Sequence, residues 1–523
     1  MDFYSLHFFL FLGISLLLYY CLPKKASWYV LLAVSLVFYA FFGIKNLIFI
    51  ILVALIVYFS TSLLQRFSDD YVSKKQTFES KEEKKAYKAV INKKKRIVLI
   101  ISLILIFGIL AFFKYLEVFV NFIFKVSGSE KTFFHILLPL GISFYIFQSV
   151  GYLFDVYNEK YPAEKNFFKL LLFVSWFPQL IQGPINRYNL ISSQLYERQS
   201  ISLEDIGRAL ALFLLGAFKK YAIANMLVDA IAQIFDSTDV VLTGSVSAFG
   251  ILMYSAQQYA DFSGGIDMVL AVSALFGVKM MQNFRQPYFS VTLGDFWRRW
   301  HISLGAWMRD YVFYPLALSN GMQRFSKFCS TKLGKHFGRV LPAGIANILV
   351  FLIVGIWHGA EMHYILWGLY NGLIIALSDI LSPAFGKLSE KLKINVKSKG
   401  FHVFQIIRTF LIVNIGWYFD RIYDTKKCFV CLRDLFCNFA IKTFSTDLFN
   451  VIGRINEGMY IAILGCVILF VYSILKENKV DVYGKLAQGP FILRWFVYAG
   501  LIIIILISFM SVTVQQGFMY ANF

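Results

Sequence analysis

The sequence predicts an all-α integral membrane protein with roughly 11 transmembrane helices, in a range of about 10 to 13. Three observations carry this reading. Of 523 residues, 58% are hydrophobic and only 16% charged, more apolar surface than a soluble domain of this size can hide. Runs such as Leu47–Leu64, Ile97–Phe113, Ala343–Trp357 and Ile492–Met510 approach the length that crosses a hydrocarbon core of roughly 30 Å at about 1.5 Å per residue. The basic residues behind a net charge of +20 gather between such runs. One membrane domain over residues 1–523 follows, since counting soluble domains by length does not apply.

The first apolar stretch, Phe3–Leu22, has no basic segment before it and no small-residue cleavage pattern after it, so it reads as a span and not a removable signal peptide. Spans are expected at about Tyr4–Cys21, Ser27–Ile44 and Leu47–Leu64, followed by a basic cytoplasmic loop at residues 65–96. In that loop Glu82, Glu83, Lys84, Lys85 and Lys88 suggest a solvated helix. Further spans are expected near Ile97–Leu116, Phe134–Phe154, Phe167–Ile181, Ile206–Leu227 and Val246–Phe276. Trp176–Pro184 and Gln286–Pro315 mix Pro, Arg, Trp and Gln with apolar residues. Irregular backbone at membrane depth is tolerated only where protein or a water-filled cavity covers it, so re-entrant or interfacial helices beside a cavity are expected there. Spans near Phe401–Tyr418, Tyr460–Leu475 and Ile492–Met510 complete the chain, with the tail Ser511–Phe523 outside.

Charge placement sets the orientation. Residues 65–96 hold eleven Lys or Arg against five Asp or Glu, Gly321–Pro342 holds five against none, and Leu381–Gly400 holds five Lys against Glu390. Basic loops between spans follow from the positive-inside bias and an anionic cytoplasmic leaflet, so membrane lipid, and not nucleic acid, is the partner this charge implies. Counting back from the 65–96 loop puts the N-terminus outside a cell membrane. Basic loops also bracket the pair Ala343–Trp357 and Tyr364–Ile380, making it a hairpin whose turn, His358–His363, lies on the far side. Fifteen residues from the cytoplasmic start rise about 22 Å, which puts His358 past the midplane and short of the outer surface.

Two segments concentrate chemistry. Trp297-Arg298-Arg299-Trp300-His301-Ile302-Ser303-Leu304, continuing to Trp307 and Arg309-Asp310-Tyr311, puts charge where an apolar protein avoids it. Such residues are function-bearing by default, although an interfacial helix with headgroup tryptophans and snorkelling arginines explains the same spacing. In Gly355-Ile356-Trp357-His358-Gly359 the histidine ends a strongly apolar run. Imidazole accepts and returns a proton near neutral pH, and a buried ring stays uncharged as a base must; a packing histidine at a hairpin turn is the alternative. Cys428-Phe429-Val430-Cys431 has zinc-like spacing without a second ligand pair, and His358 and His363 flank Glu361 five positions apart, unlike His-Glu-x-x-His, so no metal site is expected. The six scattered cysteines suggest no disulfide framework.

Taken in order, several motifs resemble the membrane-bound O-acyltransferase family, in particular its bacterial alginate O-acetyltransferase branch. They are Phe177-Pro178-Gln179-Leu180-Ile181-Gln182-Gly183-Pro184, Ala260-Asp261-Phe262-Ser263-Gly264, Asn283-Phe284-Arg285-Gln286-Pro287-Tyr288, Phe296 through Leu304, Trp307 with Arg309-Asp310-Tyr311, Trp357-His358-Gly359-Ala360 and Leu366-Trp367-Gly368. They span 177–372, the expected catalytic core. The resemblance implies a ring of transmembrane helices around a thin core, with His358 at the catalytic position and His301 at the second characteristic one. It implies transfer of an acyl group from a cytoplasmic thioester to a hydroxyl at the outer face, with acetyl-CoA as donor substrate and no other cofactor. It also implies an extracytoplasmic partner of the SGNH-hydrolase type. Gly264-Gly265-Ile266-Asp267, Gly305-Ala306 and Asn371-Gly372 depart from the usual pattern, which bears on the acceptor and not on the reaction class.

A thioester is already activated, so the demands are a nucleophilic hydroxyl and a stabilised oxyanion. His358 can take the hydroxyl proton, while His301, Arg298 or Arg299 can polarise the carbonyl or hold donor phosphates. Trp297, Trp300, Asp310 and Trp357 complete the expected binding set. Two other readings stand beside this one: D-alanyl transfer to teichoic acid from a carrier-protein thioester, and a transporter or flippase. The latter predicts pseudo-symmetric halves, which the sequence does not display.

Overall fold

The computed structural model describes residues 5–128, 138–237, 242–453, 457–511 and 517–519. Among them the regular structure is helical, apart from one isolated bridge between Phe284 and Trp300. The described residues form two compact units: one runs to Leu210 and adds Met268–Met281 and Met519, and the other holds Ala211–Asp267 and Gln282–Phe518.

The first unit opens with α1 (Leu6–Cys21), α2 (Ser27–Ala40), α3 (Asn46–Lys74) and α4 (Lys81–Val126). Ser5 caps α1 by accepting from the Phe8 amide at 3.2 Å. The basic segment 65–96 comprises the end of α3 and the start of α4, joined by 75–80, and the helix suggested at Glu82–Lys88 is the first part of α4. Ser80 accepts from the Glu83 amide at 3.0 Å, and Glu82 and Glu83 lie at the positive end of the helix dipole, so α4 starts well before its apolar part. The buried Lys95 ammonium is 2.7 Å from Glu159, just past α5 (Ile142–Tyr157).

The span expected at Phe167–Ile181 is two short helices, α6 (Phe167–Ser175) and α7 (Phe177–Gln182), broken at Trp176. Pro178 explains the break: it lacks the N–H that would bond the Val174 carbonyl, and its ring would strike that carbonyl. The irregular backbone is covered by protein. Gln148 and Gln179 both donate to the Phe173 carbonyl, at 3.0 and 2.9 Å. Asn186 donates to Gln179 and to the Pro184 carbonyl and accepts from the Met281 amide at 3.0 Å. A helix α8 (Tyr188–Tyr196) follows.

Then come α9 (Leu203–Phe218), a π-helical turn (Lys219–Ala224) and α10 (Asn225–Asp236), one continuous rod, and α11 (Gly244–Leu275). In the second unit the short helices α12 (Leu293–Arg299), α13 (Ile302–Met308) and α14 (Tyr314–Ala317) occupy the segment expected to be irregular. The basic helix α15 (Asn320–Leu333) leads to α16 (Lys335–His358) and α17 (Met362–Lys391), the predicted hairpin. After α18 (Lys399–Arg421), α19 (Thr425–Cys437) and α20 (Phe444–Ile452) come α21 (Glu457–Glu477), α22 (Val482–Gln488) and α23 (Phe491–Ser511).

Among the described residues, seven helices are long and apolar enough to cross a membrane: α3, α4, the rod Leu203–Asp236, α16, α17, α21 and α23. Fewer than the roughly 11 expected meet that standard. Helices α1 and α2 have only 16 and 14 residues. Helices α11 and α18 are long enough, at 32 and 23 residues, but carry polar side chains along their length. The start of the span expected from Phe134 and most of the tail Ser511–Phe523 lie outside the described residues.

The α16–α17 hairpin is close enough for backbone contact. A Cβ on Gly355 would overlap the Tyr364 carbonyl, and one on Gly368 would overlap the Phe351 carbonyl. With lipid as solvent, close packing between small residues is what holds two helices together. We predict that Gly368→Val lowers the unfolding free energy by about 1–3 kcal/mol, read as a lower midpoint in mixed micelles. An unchanged midpoint would mean that the helices do not meet there.

Candidate active site

Helix α16 ends at His358 because Gly359 turns extended, and Gly359 donates back to the Gly355 carbonyl at 3.2 Å. That places the imidazole at the hairpin turn, where the first turns of α17 fold over it. Its ring stacks on Tyr364 (centroids 5.7 Å, 23° between planes) and meets Trp367 edge-on at 5.3 Å. The Trp357 ring centroid lies 4.8 Å away, and His358 is only 8% exposed. These three aromatic contacts fix the orientation of the ring.

His301 sits between α12 and α13 in a left-handed conformation (φ 48°, ψ 51°), which costs a side chain of its kind on the order of 1–3 kcal/mol. Asn283 holds it there. The Asn283 backbone carbonyl accepts from the Ile302 amide at 3.0 Å, and its side-chain oxygen accepts from the Ser303 amide at 2.9 Å. The same oxygen lies 3.4 Å from His301 Nδ1, a long contact in which the nitrogen donates, leaving Nε2 as the ring's acceptor. The ring packs edge-on against Phe262 at 4.8 Å and is 6.5 Å from Trp357. One indole, Trp357, therefore touches both imidazoles.

The other expected site residues divide. Trp297 joins the cluster: its Nε1 donates to Asn371 at 3.0 Å, Asn371 donates to the Trp367 carbonyl at 2.9 Å, and the two indoles meet at 5.3 Å. Trp300 is a core residue packed on Phe284, Phe296 and Trp417. Arg299 is engaged within the protein, its terminal nitrogen 2.9 Å from both Glu477 oxygens and its Nε 3.1 Å from Asp295. Arg298 is open to solvent, 3.6 Å from Asp295, and Asp310 pairs with Arg309 at 3.1 Å on a π-helical turn, Arg309–Phe313. The structure thus gathers His358, His301, Trp357 and Trp297, and gives Trp300 and Arg299 packing and pairing duties.

Several polar residues have partners that the sequence did not predict. His363, buried on α17, has Nδ1 2.9 Å from the Phe419 carbonyl, so that nitrogen carries the proton. Tyr254 donates to Asp420 at 2.6 Å. Lys219 pairs with Asp267 at 2.6 Å, and Lys220 pairs with Asp261. Two adjacent lysines within an apolar run were a legible signal for those pairs.

Similarity to known proteins bears on this arrangement. The pattern of the membrane-bound O-acyltransferase family matches residues 161–391, which include every residue of the histidine cluster. A probable alginate O-acetylase AlgI of Pseudomonas syringae pv. tomato is 35% identical over 328 residues, 62% of this chain and 57% of that one. The peptidoglycan O-acetyltransferase of Helicobacter pylori is 28% identical over 470 residues, 83% of each chain. The teichoic acid D-alanyltransferase of Bacillus subtilis is 29% identical over 287 residues, 53% of this chain and 67% of that one. The chain thus spans little more than half the length of the alginate relative it matches.

Strain at His301 gives a stability prediction. His301→Gly and His301→Ala lose the same ring contacts, but only Gly adopts a positive φ without cost, so the Gly variant should be the more stable by about 1 kcal/mol. The reverse order in thermal unfolding, the usual one for these two residues, would contradict the left-handed backbone.

Proposed function

Through residues 161–391 this chain belongs to the membrane-bound O-acyltransferase family, and on that footing we propose that it is a multi-pass membrane O-acyltransferase. It moves acetyl from cytoplasmic acetyl-CoA to a hydroxyl of an extracytoplasmic polysaccharide or a partner protein, with His358 as general base. The observation that carries this reading is the His358 ring, buried at the hairpin turn, clamped by Tyr364 and Trp367 and sharing Trp357 with a second histidine.

His358 takes the acceptor's hydroxyl proton as the oxygen attacks the thioester carbonyl. The tetrahedral intermediate carries a negative oxygen, which the neighbouring polar groups must stabilise. When it collapses, the carbon–sulfur bond breaks, the ester leaves and the imidazolium returns its proton to the departing thiolate. Protons balance without a net acid or base. His301 is the group best placed beside Trp357 to assist at the carbonyl. Arg299 has no such role in this reading, because removing it from Glu477 would strand a carboxylate.

Acetyl is preferred over D-alanyl because the peptidoglycan O-acetyltransferase aligns with 83% of this chain and the D-alanyltransferase with 53%. An SGNH-type partner outside the membrane completes the reading where the polysaccharide itself does not reach the site. A transporter would not need one particular histidine. His358→Ala should insert at wild-type levels and remove base-labile acetate from the cell surface. Retained acetate at normal levels would refute the assignment.

A further inference from the structure

Beneath His301 lies a buried electrostatic clamp that the proposed chemistry does not use. Two lysines on the π-helical turn reach α11: Lys219 to Asp267 at 2.6 Å, and Lys220 to Asp261. The Lys220 and Asp261 side chains are 3% and 2% exposed. Lys220 Nζ also donates to the Gly517 carbonyl at 3.0 Å and lies over the Phe518 ring. The approach is tight, since a Cβ on Gly264 would press on the Gly216 carbonyl at 2.7 Å. Two opposite charges held together in so little space are costly to separate, so α11 is fixed in depth and rotation at this point.

Asp261 is followed by Phe262, and successive side chains on an α-helix point about 100° apart. While Asp261 faces the π-helical turn, Phe262 faces the second histidine, with its ring 4.8 Å from His301 at 89°. Phe262 also meets Phe284 at 4.9 Å and Trp300 at 6.3 Å, the two residues of the isolated bridge that precedes His301. The left-handed His301 backbone sets where the imidazole starts, and Phe262 sets where it can swing.

We propose that Asp261 is a positioning residue for His301: its pair with Lys220 locks α11 so that Phe262 holds the imidazole against Trp357. Asp261 touches no reacting atom, and the inference rests on the acyl-transfer reading. The Lys219–Asp267 pair joins the same turn to α11 further along, with the Lys219 ammonium over the Tyr259 ring.

The test uses the full chain in proteoliposomes with acetyl-CoA and de-O-acetylated cell-wall glycan. Asp261→Asn and Phe262→Leu should each lower kcat about tenfold or more while leaving the KM for acetyl-CoA within about twofold. Because Asp261 acts through Phe262, the double variant should be no slower than the slower single variant. Unchanged kcat in Asp261→Asn, or full additivity with Phe262→Leu, would each overturn the proposal. If Asp261→Asn does not insert, Phe262→Leu decides alone, and unchanged kcat overturns it. Absence of wild-type turnover, or turnover that survives His358→Ala, would instead overturn the acyl-transfer reading, and this inference falls with it.

Discussion

The contact on which the site depends is between backbones: Gly355 of α16 lies against the Tyr364 carbonyl, and Gly368 of α17 against the Phe351 carbonyl. In lipid there is no hydrophobic drive to bring two apolar helices together, so approach close enough for backbone atoms to touch does that work. The consequence is local and chemical. Gly355 stands one turn before His358, so the same contact that joins the helices folds Tyr364 and Trp367 over the imidazole. A longer side chain at either glycine would move the aromatic walls before it moved anything else.

From that hairpin, order spreads through aromatic rings and a few hydrogen bonds. Asn371 takes the Trp297 N–H and gives its own to the Trp367 carbonyl, coupling α12 to α17. Asn283 plays the same part for His301, satisfying two backbone amides while the ring adopts a conformation that most side chains avoid. Amides serve where charges would be expensive. The charges on Lys219 and Lys220 are matched by Asp267 and Asp261.

Much of this was legible in the sequence, for physical reasons that can be named. Basic segments flanking two apolar runs identified the hairpin and its turn, because charge does not cross lipid, and His358 lay in the turn. Pro178 and the polar residues around it marked a break at membrane depth. What the sequence left open depended on contacts between distant residues. Arg299 looked like a phosphate ligand until Glu477, far along the chain, was found against it. Trp300 looked like a binding residue and is a core one. The helix suggested by the charges of Glu82 to Lys88 is the start of α4, capped at Ser80, but that it runs on unbroken into the apolar part was not legible. The apolar run from Phe167 to Ile181 is divided at Trp176, a break that only Pro178 announced.

The central claim is that one buried imidazole serves two compartments without either substrate crossing the bilayer. It is tested most directly in sealed vesicles of uniform orientation, with acetyl-CoA carrying a labelled acetyl group on the cytoplasmic side and acceptor glycan enclosed on the other. The account predicts label on the enclosed glycan and all CoA remaining on the side where it was added. CoA appearing inside with the label, or label only on acceptor supplied beside the donor, would contradict it.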